Sequence, residues 1–276
     1  MSKIKDRFKQ NIAKIYDRRK DSYDRGGADN WHFKLARRLV ECADIKAGDL
    51  VLDLATGTGM VAIDAAKQVG RSGKVVGVDL SPGLLSVARQ KIETAALDNV
   101  ELQLADVETL NFASNSYDRI LCCSALPLFT NVPADLRLWY SFLKPKGKIG
   151  LCVFANTAFT AGVVLQKVAR RYGIYIAMSD LTGTEDKTCS LLQTAGYTNI
   201  EITTEQYGSY LDLQSLAIKD WNISLQHPHC RPLLDLESSK LEQLKTEYQD
   251  ELEALVTERG IWNDITTYFA IAEKKE

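Results

Sequence analysis

The chain has 276 residues, a net charge of −2, 45% apolar and 25% charged side chains. Those proportions are average for a globular protein and exclude a disordered, collagen-like or disulfide-scaffold chain. The balance of 34 basic and 36 acidic residues lacks the basic excess of a nucleic-acid binder, so no nucleic-acid partner is expected.

Residues 3–20 read as a charged helix with Phe8, Ile12, Ile15 and Tyr16 near one face. Residues 1–25 carry nine basic and four acidic side chains, which reads as a solvated helix face. Asp29 or Asn30 caps a second helix from Trp31 to Ile45, with Phe33, Leu35, Ala36, Leu39 and Val40 at helical spacing. After Gly48 the period changes. Val51–Leu54 is a short apolar strand, followed by a small-residue turn and a helix over residues 60–69. A strand over 75–79 ends at Asp79, and Ser81 with Pro82 starts the next helix. Further strands are expected at 100–104, 117–123 and 148–154, with a helix at 134–143 and a turn at Lys144–Gly147. A helix at 187–195 leads to a half-buried strand at 199–205, and residues 266–273 form the last strand.

Strands alternating with helices predict an α/β, Rossmann-like, doubly wound and mostly parallel sheet. The expected form has seven strands, an antiparallel last strand, N-terminal helices and a helical insertion as a cap. The organisation is one domain over 1–276: an N-terminal lid helix at 1–30, the core at 31–205, the insertion at 206–262, and the last strand at 263–276. Tyr207, Tyr210, Trp221 and Tyr248 pack the insertion, and some of them are candidates to line an apolar pocket.

Six cysteines show no C-x-x-C pair and no zinc spacing. They read as reduced thiols in a cytoplasmic protein. His227, His229 and Cys230 form no complete metal set, so no metal is expected. The longest apolar run, Ile120–Phe129, is far shorter than a membrane span needs, and MSKIKDRFKQ lacks the apolar core of a secretory leader.

The chemistry concentrates in Asp53-Leu-Ala-Thr-Gly-Thr-Gly59. A small-residue turn between strand and helix lets a ligand reach the backbone and presents free helix N–H groups. Asp53 stands before the turn. Asp79 ends the next strand, 20 residues after Gly59, and Asp106 ends the one after. Any one acid could be a cap. Acids at the ends of three consecutive strands face the crevice where such sheets bind ligands.

This pattern resembles the class I S-adenosylmethionine-dependent methyltransferases. Asp53–Gly59 matches their acid-x-G-x-G-x-G signature with Ala55 in place of the first glycine. Val75–Asp79, Leu104–Asp106, Ser116–Asp118 and Leu143–Gly147 match the frames of the later strands. Tyr23-Asp24 followed by Trp31-His32 resembles the ubiquinone/menaquinone-type and related small-molecule enzymes. The resemblance covers about residues 10–155 and is weak from there to about 262.

It implies S-adenosylmethionine as cofactor, held by Tyr23, Asp53, Ala55, Thr56, Gly57, Gly59, Asp79, Leu80, Asp106, Val107 and Ser124. Asp79 would take the ribose hydroxyls, and Asp106 and the Val107 backbone the adenine. The turn and Asp53 would take the methionine part, with Ser124 beside its amine. Tyr23 would close the site. Ala55 fits the turn only if its φ stays negative. The implied activity is methyl transfer to a small-molecule acceptor, quinone-like or a secondary metabolite, by in-line displacement. A general base is required only if the acceptor must lose a proton; His32, His227 and His229 are the candidates. The alternatives are an NAD(P)-dependent Rossmann oxidoreductase, which accounts for the turn and Asp79 but not for Asp53 with Asp106, and a non-catalytic S-adenosylmethionine-binding protein. The sequence assigns no oligomeric state.

Overall fold

The structure is a computed structural model that describes residues 2–27, 30–216, 225 and 228–276. It divides into two compact units. One comprises the chain up to Val153 with Glu185–Thr204 and Tyr268–Glu276; the other comprises Phe154–Thr184 and Glu205–Thr267.

The first unit holds α1 (Ser2–Arg19), α2 (Trp31–Cys42), β1 (Leu50–Leu54), α3 (Met60–Val69), β2 (Lys74–Asp79), α4 (Pro82–Thr94), β3 (Val100–Leu104), β4 (Tyr117–Cys123) and α5 (Val132–Phe142). β5 (Leu143–Phe154) starts at Leu143, and the expected turn at Lys144–Gly147 lies inside its bounds as an irregularity: Leu143 pairs with Tyr117 and Lys148 with Arg119, and Lys146 has a φ of +62°. The chain continues through α6 (Thr160–Arg171), α7 (Glu185–Thr194), β6 (Thr198–Leu211), α8 (Leu213–Leu216), α9 (Ser238–Glu253) and β7 (Ile261–Glu273). β6 and β7 each extend about five residues further than their apolar patterns predict, because their outer parts alternate in burial with polar side chains.

The seven strands lie in the order β3-β2-β1-β4-β5-β7-β6. β1 pairs in parallel with both β2 and β4. The order therefore reverses at β1/β4, which opens a crevice at the carboxyl ends of these strands. β7 runs antiparallel to β5: Lys146 N–H donates to the Lys274 carbonyl and Lys274 N–H to that of Gly147.

The central strands are nearly all apolar because helices cover both faces. Val51, Leu52 and Leu54 are fully buried, as are Ile120 and Leu121. Trp139 is the largest side chain of this core and is wholly enclosed. Its indole N–H donates to the Val107 carbonyl at 3.1 Å, which fixes the loop after β3 to α5. Gly73 permits close packing before β2. A Cβ there would lie 2.5 Å from Val69 Cβ and 2.6 Å from the Asp49 carbonyl oxygen.

In the second unit, α6 packs on α9 around Val168, Leu244, Tyr248 and Leu252. Lys167 pairs with Glu251 at 2.7 Å and Arg171 with Glu247 at 3.0 Å along their edge. Tyr248 is thus a core side chain of this unit, while Tyr210 lies at the surface against Trp262. Trp221 and His227 lie outside the described residues. No helix among the described residues is long and apolar enough to cross a membrane.

Candidate functional site

The turn after β1 is built on left-handed backbone. Ala55, Gly57 and Gly59 have φ of +54°, +57° and +79°. The expectation of a negative φ at Ala55 is therefore wrong. The turn holds it there: Thr56 N–H donates to the Val78 carbonyl and Gly59 N–H to that of Thr56, each at 2.9 Å. Alanine has a small enough Cβ to bear this at a cost of about 1–2 kcal/mol.

Asp79 ties the first turn to the second. One carboxylate oxygen accepts the Gly57 N–H and the other the Ser81 N–H, both at 2.8 Å. Burial pushes its carboxyl above the usual range, and these backbone donors act against that shift. Asp53 is almost wholly buried and accepts the Thr56 hydroxyl at 2.5 Å. Gly77, opposite, leaves room for Thr56: a Cβ there would lie 2.9 Å from Thr56 Oγ1. Burial, with the nearby Asp79 charge, pushes Asp53 up to about 7.

Asp106 is also engaged. One oxygen accepts Glu108 N–H at 3.0 Å and the other pairs with Lys9 of α1. Lys9 also stands 3.3 Å from Glu108. Burial pulls the Lys9 pKa down, but the two carboxylates outweigh it and leave it above its ordinary value.

Two cavities open beside these groups. The larger, about 680 Å³, is lined by Tyr23, Ala55, Gly57, Asp79, Leu80, Asp106, Val107 and Ser124 among the expected residues. The smaller, about 380 Å³, is lined by Tyr23, Asp53, Ala55, Thr56, Gly57 and Ser124. Gly59 lines neither. A Cβ there would meet Ala88 at 3.1 Å, so this glycine serves the packing of α3 on α4.

Lys9, Ile12, Tyr16, Glu108 and Phe129 line the larger cavity without having been expected there. The spacing of Lys9, Ile12 and Tyr16 by three and four puts them on one face of α1, and that periodicity is readable in the sequence. What the face covers is not. The charge of residues 1–25 is not wholly solvated either. Besides Lys9, Asp17 accepts the Ser81 hydroxyl at 2.5 Å and Gly83 N–H at 2.8 Å. Asp24 accepts the Thr58 hydroxyl at 2.8 Å and pairs with Lys91 at 3.0 Å. Arg19 lies over the rings of Tyr16 and Tyr23 at 5.2 and 5.3 Å. Among the described residues, no three His, Cys, Asp or Glu side chains are placed to hold a metal ion.

The family described as "Methyltransferase domain" matches residues 51–147, the segment that carries the turn, Asp79 and Asp106. Aklanonic acid methyltransferase DauC of Streptomyces sp. (strain C5) is 29% identical over 155 residues, 56% of this chain and 69% of that one. The demethylmenaquinone methyltransferase of Symbiobacterium thermophilum is 31% identical over 166 residues, covering 60% of this chain and 61% of its own. The match thus spans less than two thirds of the menaquinone-type relative. Among solved structures, YcgJ of Bacillus subtilis shares the fold at 16% identity, with a TM-score of 0.60 and coverage of 88% of this chain and 99% of its own. The phosphoethanolamine N-methyltransferase 2 of Haemonchus contortus, in complex with S-adenosyl-L-methionine, does so at 16% identity and a TM-score of 0.57, covering 94% of this chain and 57% of its own. Residues 51–147 thus match a methyltransferase domain family, and the curated relatives that resemble this chain are methyltransferases.

Proposed function

We propose that the protein transfers the methyl group of S-adenosylmethionine to a small-molecule acceptor, quinone-like or a secondary metabolite, by in-line displacement. The observation that carries this reading is the placement of Asp79 and Asp106 on one apolar-walled cavity that meets the smaller, Asp53-lined cavity at Tyr23, Ala55, Gly57, Cys123 and Ser124. The donor set suits the cofactor: carboxylates for ribose hydroxyls and an adenine amine, apolar walls for the ring, and an aromatic beside a cation. Asp79 is assigned to the ribose, Asp106 and the Val107 backbone to the adenine, and Asp53 with Thr56 and the turn to the methionine part. Ser124 and Tyr23 border the sulfonium. Leu80 packs on the nucleoside.

When bound, the sulfonium supplies an already activated methyl group. The chain's own residues then need to position the acceptor and exclude water. Ala125, Leu128 and Phe129 beside Ser124 offer an apolar wall to a flat acceptor. DauC and the demethylmenaquinone methyltransferases, by their names, act on such molecules. The six cysteines, all outside disulfides, support a reducing, cytoplasmic setting.

Calorimetry tests the reading. S-adenosylhomocysteine is expected to bind at micromolar level and NAD not to bind. Asp79→Ala should weaken S-adenosylhomocysteine by about 1.5–3 kcal/mol, the range for hydrogen bonds to a charged group. NAD binding without S-adenosylhomocysteine binding would refute it.

A further inference from the structure

Lys9 of α1 lines the larger cavity together with Asp106 and Val107, the groups assigned to the adenine, and has no part in the roles given above. Its ammonium is held between two carboxylates. It pairs with Asp106 Oδ2 and stands 3.3 Å from Glu108 Oε2. Backbone groups fix both carboxylates in turn. Asp106 Oδ1 accepts the Glu108 N–H at 3.0 Å, and Glu108 Oε1 accepts the Thr130 N–H at 3.0 Å. The Thr130 hydroxyl donates to the other oxygen of Glu108. The Lys9 side chain is only 15% exposed. Ile12 and Tyr16, three and seven positions on, line the same cavity, so the face of α1 that carries Lys9 is turned toward it.

An ammonium has three N–H groups. Asp106 and Glu108 take two of them, and among the described residues no other acceptor meets Lys9. The third N–H is available to a molecule in the cavity that Lys9 lines. The chemistry of adenine fixes what it would meet. The 6-amine donates and is flanked by two ring acceptors, N1 on one side and N7 on the other. N7 with the 6-amine is the acceptor–donor edge by which proteins read adenine in the major groove of DNA. Asp106 has two sides as well. Oδ1 lies on the backbone side, against the Glu108 N–H, and Oδ2 on the Lys9 side. The Val107 carbonyl accepts the Trp139 indole N–H, so the backbone group that Val107 offers the ring is its own N–H, a donor that suits N1. With N1 toward the Val107 backbone and the amine on Asp106, N7 turns toward Lys9.

We infer that Lys9 is a specificity residue of the cofactor site: its ammonium donates to N7 of the adenine while Asp106 accepts from the 6-amine, so the two side chains read one edge of the base as a donor–acceptor pair. The inference rests on the methyltransferase reading and on the assignment of Asp106 proposed above. A base with oxygen at position 6 presents two acceptors on this edge and sets one of them against the Asp106 carboxylate. A 7-deaza base carries C–H in place of N7 and leaves the third Lys9 N–H without an acceptor.

The test is calorimetry with S-adenosylhomocysteine and its 7-deazaadenine analogue, on the wild type and on Lys9→Met. The wild type should bind the analogue about 10–100-fold more weakly, the ratio for a lost hydrogen bond to a charged group. Lys9→Met should bind the two ligands alike, because the discriminating donor is gone. Equal affinity of the wild type for both ligands overturns the inference, and this comparison needs no variant. A loss of equal size for both ligands in Lys9→Met would leave Lys9 only the role of tying α1 to the strand end, and overturns it too. So does tighter binding of S-adenosylhomocysteine by Lys9→Met, which would mean that Lys9 competes with the amine for Asp106. These outcomes leave the methyltransferase reading standing, since S-adenosylhomocysteine still binds in each. Absence of S-adenosylhomocysteine binding to the wild type overturns that reading and the inference with it.

Discussion

Replacing Asp135 by asparagine should stabilise the protein, and more so as the pH rises. Asp135 lies in the first turn of α5 and is only 4% exposed. Its Oδ2 has no hydrogen-bond partner among the described residues. Burial pushes its carboxyl up to about 7; Glu108 and Asp106 add to this, while Lys9 and Lys5 act against it. The folded pKa thus exceeds the unfolded value. The stability that the protonated form contributes is fully present below the unfolded pKa near 3.8 and is lost as pH rises through the folded value of about 7. A rise of about three units corresponds to roughly 4 kcal/mol at 1.36 kcal/mol per unit. Relaxation around the ionised group lowers that ceiling, so about 2–4 kcal/mol is the working range. The asparagine variant bears no such charge. Its advantage over the wild type should grow by about 0.5–2.5 kcal/mol between pH 5 and pH 8, because the loss begins near 3.8 and only its upper part falls in that interval. Urea unfolding of both proteins at the two pH values measures it. An advantage that does not change with pH, or a variant less stable at pH 8 than at pH 5 relative to the wild type, would refute the reasoning. Asp53 titrates in the same window but is present in both proteins, so its contribution cancels in the difference.

Two further outcomes are expected. Ala55→Gly should relieve left-handed strain worth about 1–2 kcal/mol against the extra entropy of an unfolded glycine, roughly 0.5–1 kcal/mol, so chemical denaturation should show a gain of up to about 1 kcal/mol; a clear loss would mean that the Ala55 methyl packs usefully. Deleting residues 1–25 removes Lys9, Ile12, Tyr16 and Tyr23 from the cavity wall, so S-adenosylhomocysteine should bind at least tenfold more weakly to a core that still unfolds cooperatively, and hydrogen exchange of the full chain should show α1 gaining protection when that ligand is added. Equal affinity of the two proteins would remove the segment from the site.

Much of the sheet was legible because its strands are buried on both faces. Leu50–Leu54 and Tyr117–Cys123 read as near-continuous apolar runs, and their ends coincide with the observed strands to within about a residue. Ser81-Pro82 marks the start of α4 in the sequence, and Ser81 Oγ accepts the Leu84 N–H as a cap should. The strands that failed were half exposed. Residues 206–211 of β6 alternate with polar side chains and carry Gly208, so they read as part of the insertion. Helix α6 carries an apolar stripe at helical spacing, Ala161, Val164, Leu165, Val168 and Ala169, but its packing against α9 is not legible, since such a stripe states that a face is covered and not by what. At the site, acids at strand ends were visible from spacing. Ala55 was misjudged because steric preference in a single residue was weighed without the hydrogen bonds of its neighbours, which decide φ in a tight turn. His32 was one of three candidate bases. In the structure it is tied to the amide of Asn30, two residues earlier, and a sequence gives no sign of which carbonyls that amide meets.

The N-terminal segment meets the strand ends in the order of the sheet. Lys9 pairs with Asp106 after β3, Asp17 caps the helix after β2, and Asp24 binds Thr58 in the turn after β1. Between these ties, Ile12 and Tyr16 face the cavity that holds Asp79 and Asp106. A helix anchored only by apolar contacts could settle in several registers. Three charged ties, each to a different strand end, permit one. None of them is strong: the Lys91–Asp24 pair is about one third exposed on each side, and such pairs contribute about 0–1 kcal/mol. The hydrogen bonds that Asp17 accepts are worth about 1.5–3 kcal/mol as charged bonds. Together these amount to a few kcal/mol, enough to favour one placement of the helix over the strand ends. The same carboxylate of Asp106 that holds Lys9 is the one assigned to the adenine amine. Under the proposed function the cofactor and Lys9 therefore meet at one group, and the segment whose charges read as mere solvation forms part of the cavity wall.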